Sequence, residues 1–308
     1  MKILSILSRH FIIVGTFVLI AVTSSVIAES ATKEVTLSQK GQTLNANLTM
    51  ADGKKMNDGV ILITHGTLAH NGMELIKAMQ NLLAERGRSS LAINLSLGLD
   101  NRHGMYDCSV PHKHLHTDAL DEISVWLNWL KAKGADKIVL MGHSRGGNQT
   151  AWFAAERPDP AIVKVVLLAP ATWNEQAAKE SYKKQFGVSA AATLAKAEKL
   201  VAEGKGSLML DKAGFIYCKD ALSTAAAFVS YNKPEPRMHT PTLMAKISVP
   251  VLVVAAANDN VVKGLIKAVE PLADGKKLTL KVVDEANHFF LDFAAEDAAE
   301  AIDEFLQE

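Results

Sequence analysis

Only two of the 308 residues are cysteine, only 6% are aromatic, and neither sign of charge is in excess. Two cysteines, Cys108 and Cys218, cannot build a disulfide-rich scaffold or a four-cysteine zinc site. Lys plus Arg and Asp plus Glu both count 33, so the overall charge gives no sign of the basic patch that nucleic-acid binding uses. No nucleic-acid partner is expected. Nine Pro and 19 Gly leave no collagen-like or linker bias. There is no internal repeat and no low-complexity tract. What remains, 48% hydrophobic and 21% charged, is the composition of an ordinary globular chain.

The one long apolar run lies at the start. Lys2, Arg9 and His10 form a positive segment, Phe11–Val22 an apolar one, and Val26-Ile27-Ala28 supplies small residues at the positions a signal peptidase reads. Residues 1–28 therefore read as a secretory signal peptide cut before Glu29. The plainer alternative is an uncleaved anchor. Phe11–Ala28 is just long enough to span a bilayer, but Thr23-Ser24-Ser25 interrupts it. No cysteine lies near the cut, which excludes a lipoprotein anchor, and the absence of an Arg-Arg pair argues against twin-Arg export. Cleavage leaves residues 29–308 with 31 basic and 33 acidic side chains and no stable membrane anchor. The expected location is the periplasm. That length fits one large domain, or one domain with an insertion.

Along this part, strand and helix patterns alternate. Lys33–Ser38 and Thr43–Met50 alternate apolar and polar residues around Gly41 and predict a hairpin. Gly59–Thr64, Ser90–Leu95, Ile138–Met141, Val163–Leu168, Val249–Ala256 and Leu278–Val283 are apolar runs of the kind buried in a parallel sheet. Between them, Met73–Arg86, Thr117–Lys133, Gly146–Arg157, Val261–Leu272 and Phe289–Leu306 carry helical patterns, with Thr117 placed to cap the second. The predicted fold is α/β, a mostly parallel sheet with helices on both faces. At about 173–246 the alternation stops. Helical stretches near Asn174–Phe186, Ala190–Glu203 and Asp220–Tyr231, with no convincing buried strand, predict a small helical cap.

One motif carries chemistry. Gly142-His143-Ser144-Arg145-Gly146 is a Gly-x-Ser-x-Gly string, and it joins a predicted strand to a predicted helix. A serine in so sharp a turn needs neighbours without bulk, which Gly142 and Gly146 provide. The plainer reading is a glycine-rich turn whose serine only caps a helix. A serine hydroxyl also needs a base, and the base an orienting acid. Asp259 and His288 follow later strands, each in a loop past the strand's C-terminal end, the edge where open α/β sheets place their sites. Alone, Asp259 could be a helix cap and His288 a core or surface histidine.

Elbow, acid and histidine in this order resemble the α/β-hydrolase superfamily, over nearly the whole of Gly59 to about Leu306. The resemblance implies a serine hydrolase with a helical cap, with Ser144 as nucleophile, His288 as base and Asp259 as orienting acid. The glycine often found ahead of the family's acid is Ala256 here, and Asp284 is the competing acid. The resemblance also implies an oxyanion hole from the backbone N–H of Arg145 and of Thr67, in the His65-Gly66-Thr67 loop after Gly59–Thr64, with His65 ordering that loop. A carboxylic ester acted on through an acyl-enzyme is the first expectation. An amide or peptide substrate, and a non-catalytic binding protein on the same scaffold, are the alternatives. Either way the partner is a small molecule, and no cofactor is expected.

Two features stand apart. His112, His114 and His116 alternate, and on a strand they would share a face and could approach a metal. The family places them in a loop, no carboxylate completes the set, and no metal site is expected; a substrate-facing role for one of them is the alternative. Cys108 and Cys218 should both lie above the catalytic edge. They are either a bridge pinning the cap to the core or two separate thiols.

Overall fold

The computed structural model describes residues 32–308. The signal-peptide assignment, residues 1–28, lies outside the described residues. Strands β1 (Thr32–Gln39), β2 (Gln42–Thr49), β3 (Val60–Thr64), β4 (Ser89–Asn94), β5 (Ile138–His143) and β6 (Ile162–Leu168) come first. A pair inside the insertion follows, β7 (Ala213–Phe215) and β8 (Cys218–Ala221), and then β9 (Val251–Ala256) and β10 (Leu278–Val283). The helices are α1 (Glu74–Glu85), α2 (Asp118–Ala132), α3 (Arg145–Glu156), α4 (Glu175–Phe186), α5 (Ala191–Ala202), α6 (Ala225–Asn232), α7 (Pro241–Met244), α8 (Leu265–Val269) and α9 (Phe293–Gln307).

Eight strands form one sheet in the order β1-β2-β4-β3-β5-β6-β9-β10. The β1–β2 hairpin is antiparallel and joins β4 antiparallel; all later pairings are parallel. Every residue of β3, β4, β5 and β9 is buried, because helices cover both faces. Side-chain alternation splits these strands between two cores. Leu62, Leu91 and Val253 pack with α2, α3 and α8, around Trp126, Phe153 and Leu265. Ile61, Ile63 and Val254 pack with α1 and α9, around Met79, Leu83 and Ile302. The helical spacing of Leu75, Ile76, Met79 and Leu83 thus points one stripe of α1 at the sheet.

Four expectations need correction. The insertion is not all helical: β7 and β8 form an antiparallel hairpin, so Asp220 lies in a strand and α6 begins only at Ala225. Strands of three and four residues are too short for a period-two signal. Thr117 precedes α2 but makes no side-chain cap bond; Asp118 Oδ2 accepts the Leu115 N–H at 2.7 Å instead. The helix expected over Val261–Leu272 shrinks to α8 and a short 3₁₀ turn, because Val261 and Val262 bind Asp259 and Gly264 is left-handed. The last helix starts at Phe293, after Phe290 and Asp292 take positive φ. Among the described residues no helix is long and apolar enough to cross a membrane.

The insertion has a core of its own, around Tyr182, Phe215 and Phe228, shared with Tyr106 of the segment after β4. Cys108 and Cys218 are bridged, closing 110 residues of sequence. Beside the bridge, the His112 N–H donates to the Leu222 carbonyl at 2.8 Å, and the Thr224 N–H donates to the His112 carbonyl at 3.0 Å. The insertion is therefore pinned to the segment leading into α2.

Candidate active site

Ser144 occupies the turn between β5 and α3 with φ +57° and ψ −122°. A side chain there is strained by about 1–3 kcal/mol, and the surroundings must hold it. They do so through missing bulk. A Cβ on Gly142 would meet Thr150 Oγ1 and the Gly146 carbonyl, and a Cβ on Gly146 would meet the carbonyl oxygens of Thr64 and His65. Gly146 thus lets the start of α3 press against the end of β3. The Ser144 N–H donates to the Leu168 carbonyl at 3.0 Å, and the Ala171 N–H donates to the Ser144 carbonyl at 2.9 Å. The segment after β6 therefore braces the elbow.

His288 follows β10 and Asp259 follows β9, with β6 lying between β9 and β5 in the sheet. The three side chains meet at the shared edge. His288 Nε2 is 2.9 Å from Ser144 Oγ, and His288 Nδ1 is 2.7 Å from Asp259 Oδ2. Asp259 Oδ1 accepts the N–H groups of Val261 and Val262, both at 2.8 Å. Burial alone would push this carboxyl up. The His288 bond and the two N–H groups outweigh it and hold the carboxyl below its ordinary value. An ionised Asp259 only accepts, so the proton of a neutral His288 sits on Nδ1 and the Nε2 lone pair faces the serine. Asp284 is exposed to solvent and is not the acid His288 meets.

Sequence reasoning missed His143, between Gly142 and Ser144. Its Nε2 lies 2.9 Å from the His288 carbonyl, and the two rings are 4.8 Å apart. Burial first, then His288, pushes its pKa down to about 4, so at neutral pH a neutral ring donates to that carbonyl and holds the His288 backbone. Its only sequence signal is its place inside the motif.

The loop after β3 closes the other side. A Cβ on Gly66 would sit 3.2 Å from the Ser144 Cβ, so backbone comes close to the serine. Arg145 is the first residue of α3, where backbone N–H groups have no intrahelical acceptor. The Arg145 side chain reaches back, its Nε donating to Thr67 Oγ1 at 3.0 Å. His65 points away from the serine. Its Nδ1 lies 2.9 Å from the Gly66 carbonyl, and its Nε2 accepts the Leu95 N–H at 3.0 Å. Burial, then Arg102, pushes its pKa down to about 3, so it stays neutral. Arg102, which the sequence did not flag, is buried and donates to the carbonyls of Leu95 and Ala69, both at 2.8 Å. It ties the loop to the end of β4.

The three alternating histidines lie in a loop and are buried. His112 Nδ1 is 3.2 Å from His114 Nε2, His114 Nδ1 is 2.9 Å from the Tyr231 hydroxyl, and His116 Nε2 is 3.1 Å from Asn148 Oδ1. They bond to one another, to the cap and to α3. Among the described residues no group of three or more His, Cys, Asp or Glu is placed to hold a metal ion. A cavity of about 230 Å³ lies under the cap beside the elbow, touching His116, Arg145, Ala171 and Tyr231.

A serine on a strained strand-to-helix turn, in the middle of a mostly parallel eight-stranded sheet, defines the class: this is the α/β-hydrolase fold. Residues 59–188 match the family model described as alpha/beta hydrolase fold, in keeping with the sheet order and the serine elbow. Similar solved structures agree. Est1E from Butyrivibrio proteoclasticus with bound ferulic acid is 20% identical, with TM-score 0.63, over 89% of this chain and 98% of that one. The esterase Pf2001 of Pyrococcus furiosus is 15% identical, with TM-score 0.57, over 90% and 92%. A dienelactone hydrolase from Anabaena variabilis is 16% identical, with TM-score 0.53, over 91% and 98%. At these identities the likeness speaks for the fold. No curated protein sequence matches significantly.

Proposed function

We propose that the protein is a serine hydrolase of carboxylic esters working through an acyl-enzyme. The observation that carries this reading is the chain of contacts from Asp259 through His288 to Ser144, at 2.7 and 2.9 Å. Ser144 Oγ attacks the ester carbonyl while His288 Nε2 takes its proton. The negative charge that develops on the carbonyl oxygen is met by the backbone N–H groups of Arg145 and Thr67. Collapse of the intermediate expels the alcohol, which leaves with the proton from His288. A water then gives its proton to His288, attacks the acyl group and releases the acid, and the proton returns to Ser144. Asp259 stays ionised throughout, fixing the His288 tautomer and balancing the imidazolium.

The esterase Pf2001 among the similar structures supports ester over amide substrates. Export to the periplasm belongs to the same proposal. It is supported by the charged, apolar and small-residue pattern of residues 1–28 and by a disulfide of the kind that persists in oxidising compartments.

The test is labelling with a fluorophosphonate, followed by turnover of esters of graded chain length beside aminoacyl amides. Labelling lost in Ser144→Ala together with ester turnover is expected. Turnover of amides alone would change the reaction to amide cleavage. A wild-type protein that neither labels nor turns over any substrate would overturn the enzyme reading in favour of a binding protein.

A further inference from the structure

The cavity under the cap holds a charge without a counter-charge. Among its described lining residues Arg145 is the single charged one; Asn148, Ser181, Gln185 and Tyr231 are polar and neutral. The partners of the guanidinium are Thr67 Oγ1 at 3.0 Å, His116 Nδ1 at 3.4 Å from Nη1, and the Tyr231 ring, 5.2 Å from Cζ. No carboxylate is among them.

The neighbours of Arg145 are themselves held. Asn148 Nδ2 donates to the Arg237 carbonyl at 2.9 Å and to Thr240 Oγ1 at 3.1 Å. Asn148 Oδ1 therefore faces His116 Nε2, which carries the ring proton, and His116 Nδ1 is left as an acceptor for Arg145. This network aims the guanidinium. It uses two of the five N–H donors and leaves three without a partner among the described residues. A partly buried cation with spare donors and no ion pair is an arrangement a bound anion completes.

We propose that Arg145 is a specificity-determining residue and that the natural ester carries a carboxylate, seated against the Arg145 guanidinium under the cap. This rests on the serine-hydrolase reading and names its substrate class. The backbone N–H of Arg145 then serves the oxyanion while its side chain binds the far end of the same substrate. A carboxylate is favoured over a bulky group, because about 230 Å³ lies below the usual size of ligand pockets, roughly 300–1,000 Å³. Its planar fork also matches a guanidinium.

The experiment is binding to the full-length mature Ser144→Ala protein, measured by calorimetry with monomethyl glutarate and with its neutral counterpart methyl valerate. Tighter binding of monomethyl glutarate, weakening as sodium chloride is added, is expected. Adding Arg145→Gln should lower that affinity roughly 30-fold or more, with Arg145→Lys restoring part of it. Equal affinity for the two esters in Ser144→Ala overturns the proposal, whether or not the Arg145 variants fold. Preference for the anionic ester without fluorophosphonate labelling of the wild type would keep the anion site and remove the hydrolase reading, so the two failures are separable.

Discussion

Replacing Asp259 by Asn tests the site most sharply, because the structure dictates how the new side chain must sit. Oδ1 of Asp259 accepts two backbone N–H groups, from Val261 and Val262, at 2.8 Å each. An amide nitrogen cannot take that place, since it would face two donors with a third. The Asn oxygen therefore keeps the Oδ1 position and its NH₂ turns to His288 Nδ1, at the 2.7 Å contact that the carboxylate now makes. Nδ1 must then accept, the ring proton moves to Nε2, and Nε2 presents a donor to Ser144 Oγ. The serine loses its base although every heavy atom keeps its place. Loss of the correct tautomer and of imidazolium stabilisation together lower kcat by about 10⁴ in serine hydrolases of this logic. Steady-state hydrolysis of a short-chain nitrophenyl ester, with circular dichroism to establish folding, measures the effect. Asp284→Asn serves as the control and should stay near wild type, since Asp284 is exposed. A folded Asp259→Asn enzyme within tenfold of wild type would refute the orientation argument, and a larger loss in Asp284→Asn would move the acid.

The other expectations concern stability, acid and maturation. Gly146→Ala drives a Cβ into the Thr64 and His65 carbonyls and should destabilise by about 3 kcal/mol or more in urea unfolding; a loss under about 1 kcal/mol would show that the loop after β3 can yield. Cys108→Ser/Cys218→Ser opens a loop of 110 residues and should lower stability by up to about 5 kcal/mol, seen first as easier proteolysis of the cap; unchanged proteolysis would mean that the hydrogen bonds around His112 suffice. Acid should destabilise the fold. Burial holds His65, His114 and His116 near pKa 3 and His112 and His143 near 4, against 6.5 when unfolded. The unfolded chain therefore binds more protons below pH 6.5, and stability present above that pH is lost as pH falls toward 4. Glu122, raised by burial to about 7, opposes this between pH 4.5 and 7, one group against five. A melting temperature that stays flat from pH 6.5 to 4.5 would contradict the burial of these rings. Intact-mass analysis of protein from the periplasm should give a chain starting at Glu29 with both thiols joined, and a mass that retains residues 1–28 would replace secretion by anchoring.

The order of strands and helices, and Ser144, Asp259 and His288 as candidates, could be read in the chain itself, because both rest on local rules. Continuous apolar runs such as β3 mark strands covered on both faces, and the spacing of Leu75, Ile76, Met79 and Leu83 marks a helix with one buried stripe. Gly142 and Gly146 announce the elbow because only residues without a Cβ fit so close to Thr150, Thr64 and His65. Asp259 and His288 were legible as strand-end residues, but the preference for Asp259 over Asp284 came from the resemblance alone, and the 2.7 Å contact of His288 Nδ1 with Asp259 Oδ2 is a tertiary fact. Contacts across long sequence separations left no such trace. The β7–β8 hairpin is too short to show a period and is held by cap packing around Phe215. His143 clamps a carbonyl 145 residues away, Arg102 ties together loops that its neighbours do not predict, and His116 turns Arg145 toward the cap. Whether Cys108 and Cys218 could bond depended on a distance, and folding brings their Cα atoms to 5.3 Å. Periodicity and turn chemistry are properties of neighbouring residues, and the chain carries them openly. The partner of a buried polar group is chosen only when the sheet closes and water is gone, so the tertiary structure alone decided which residues support the contacts from Asp259 through His288 to Ser144 and which charge lies under the cap.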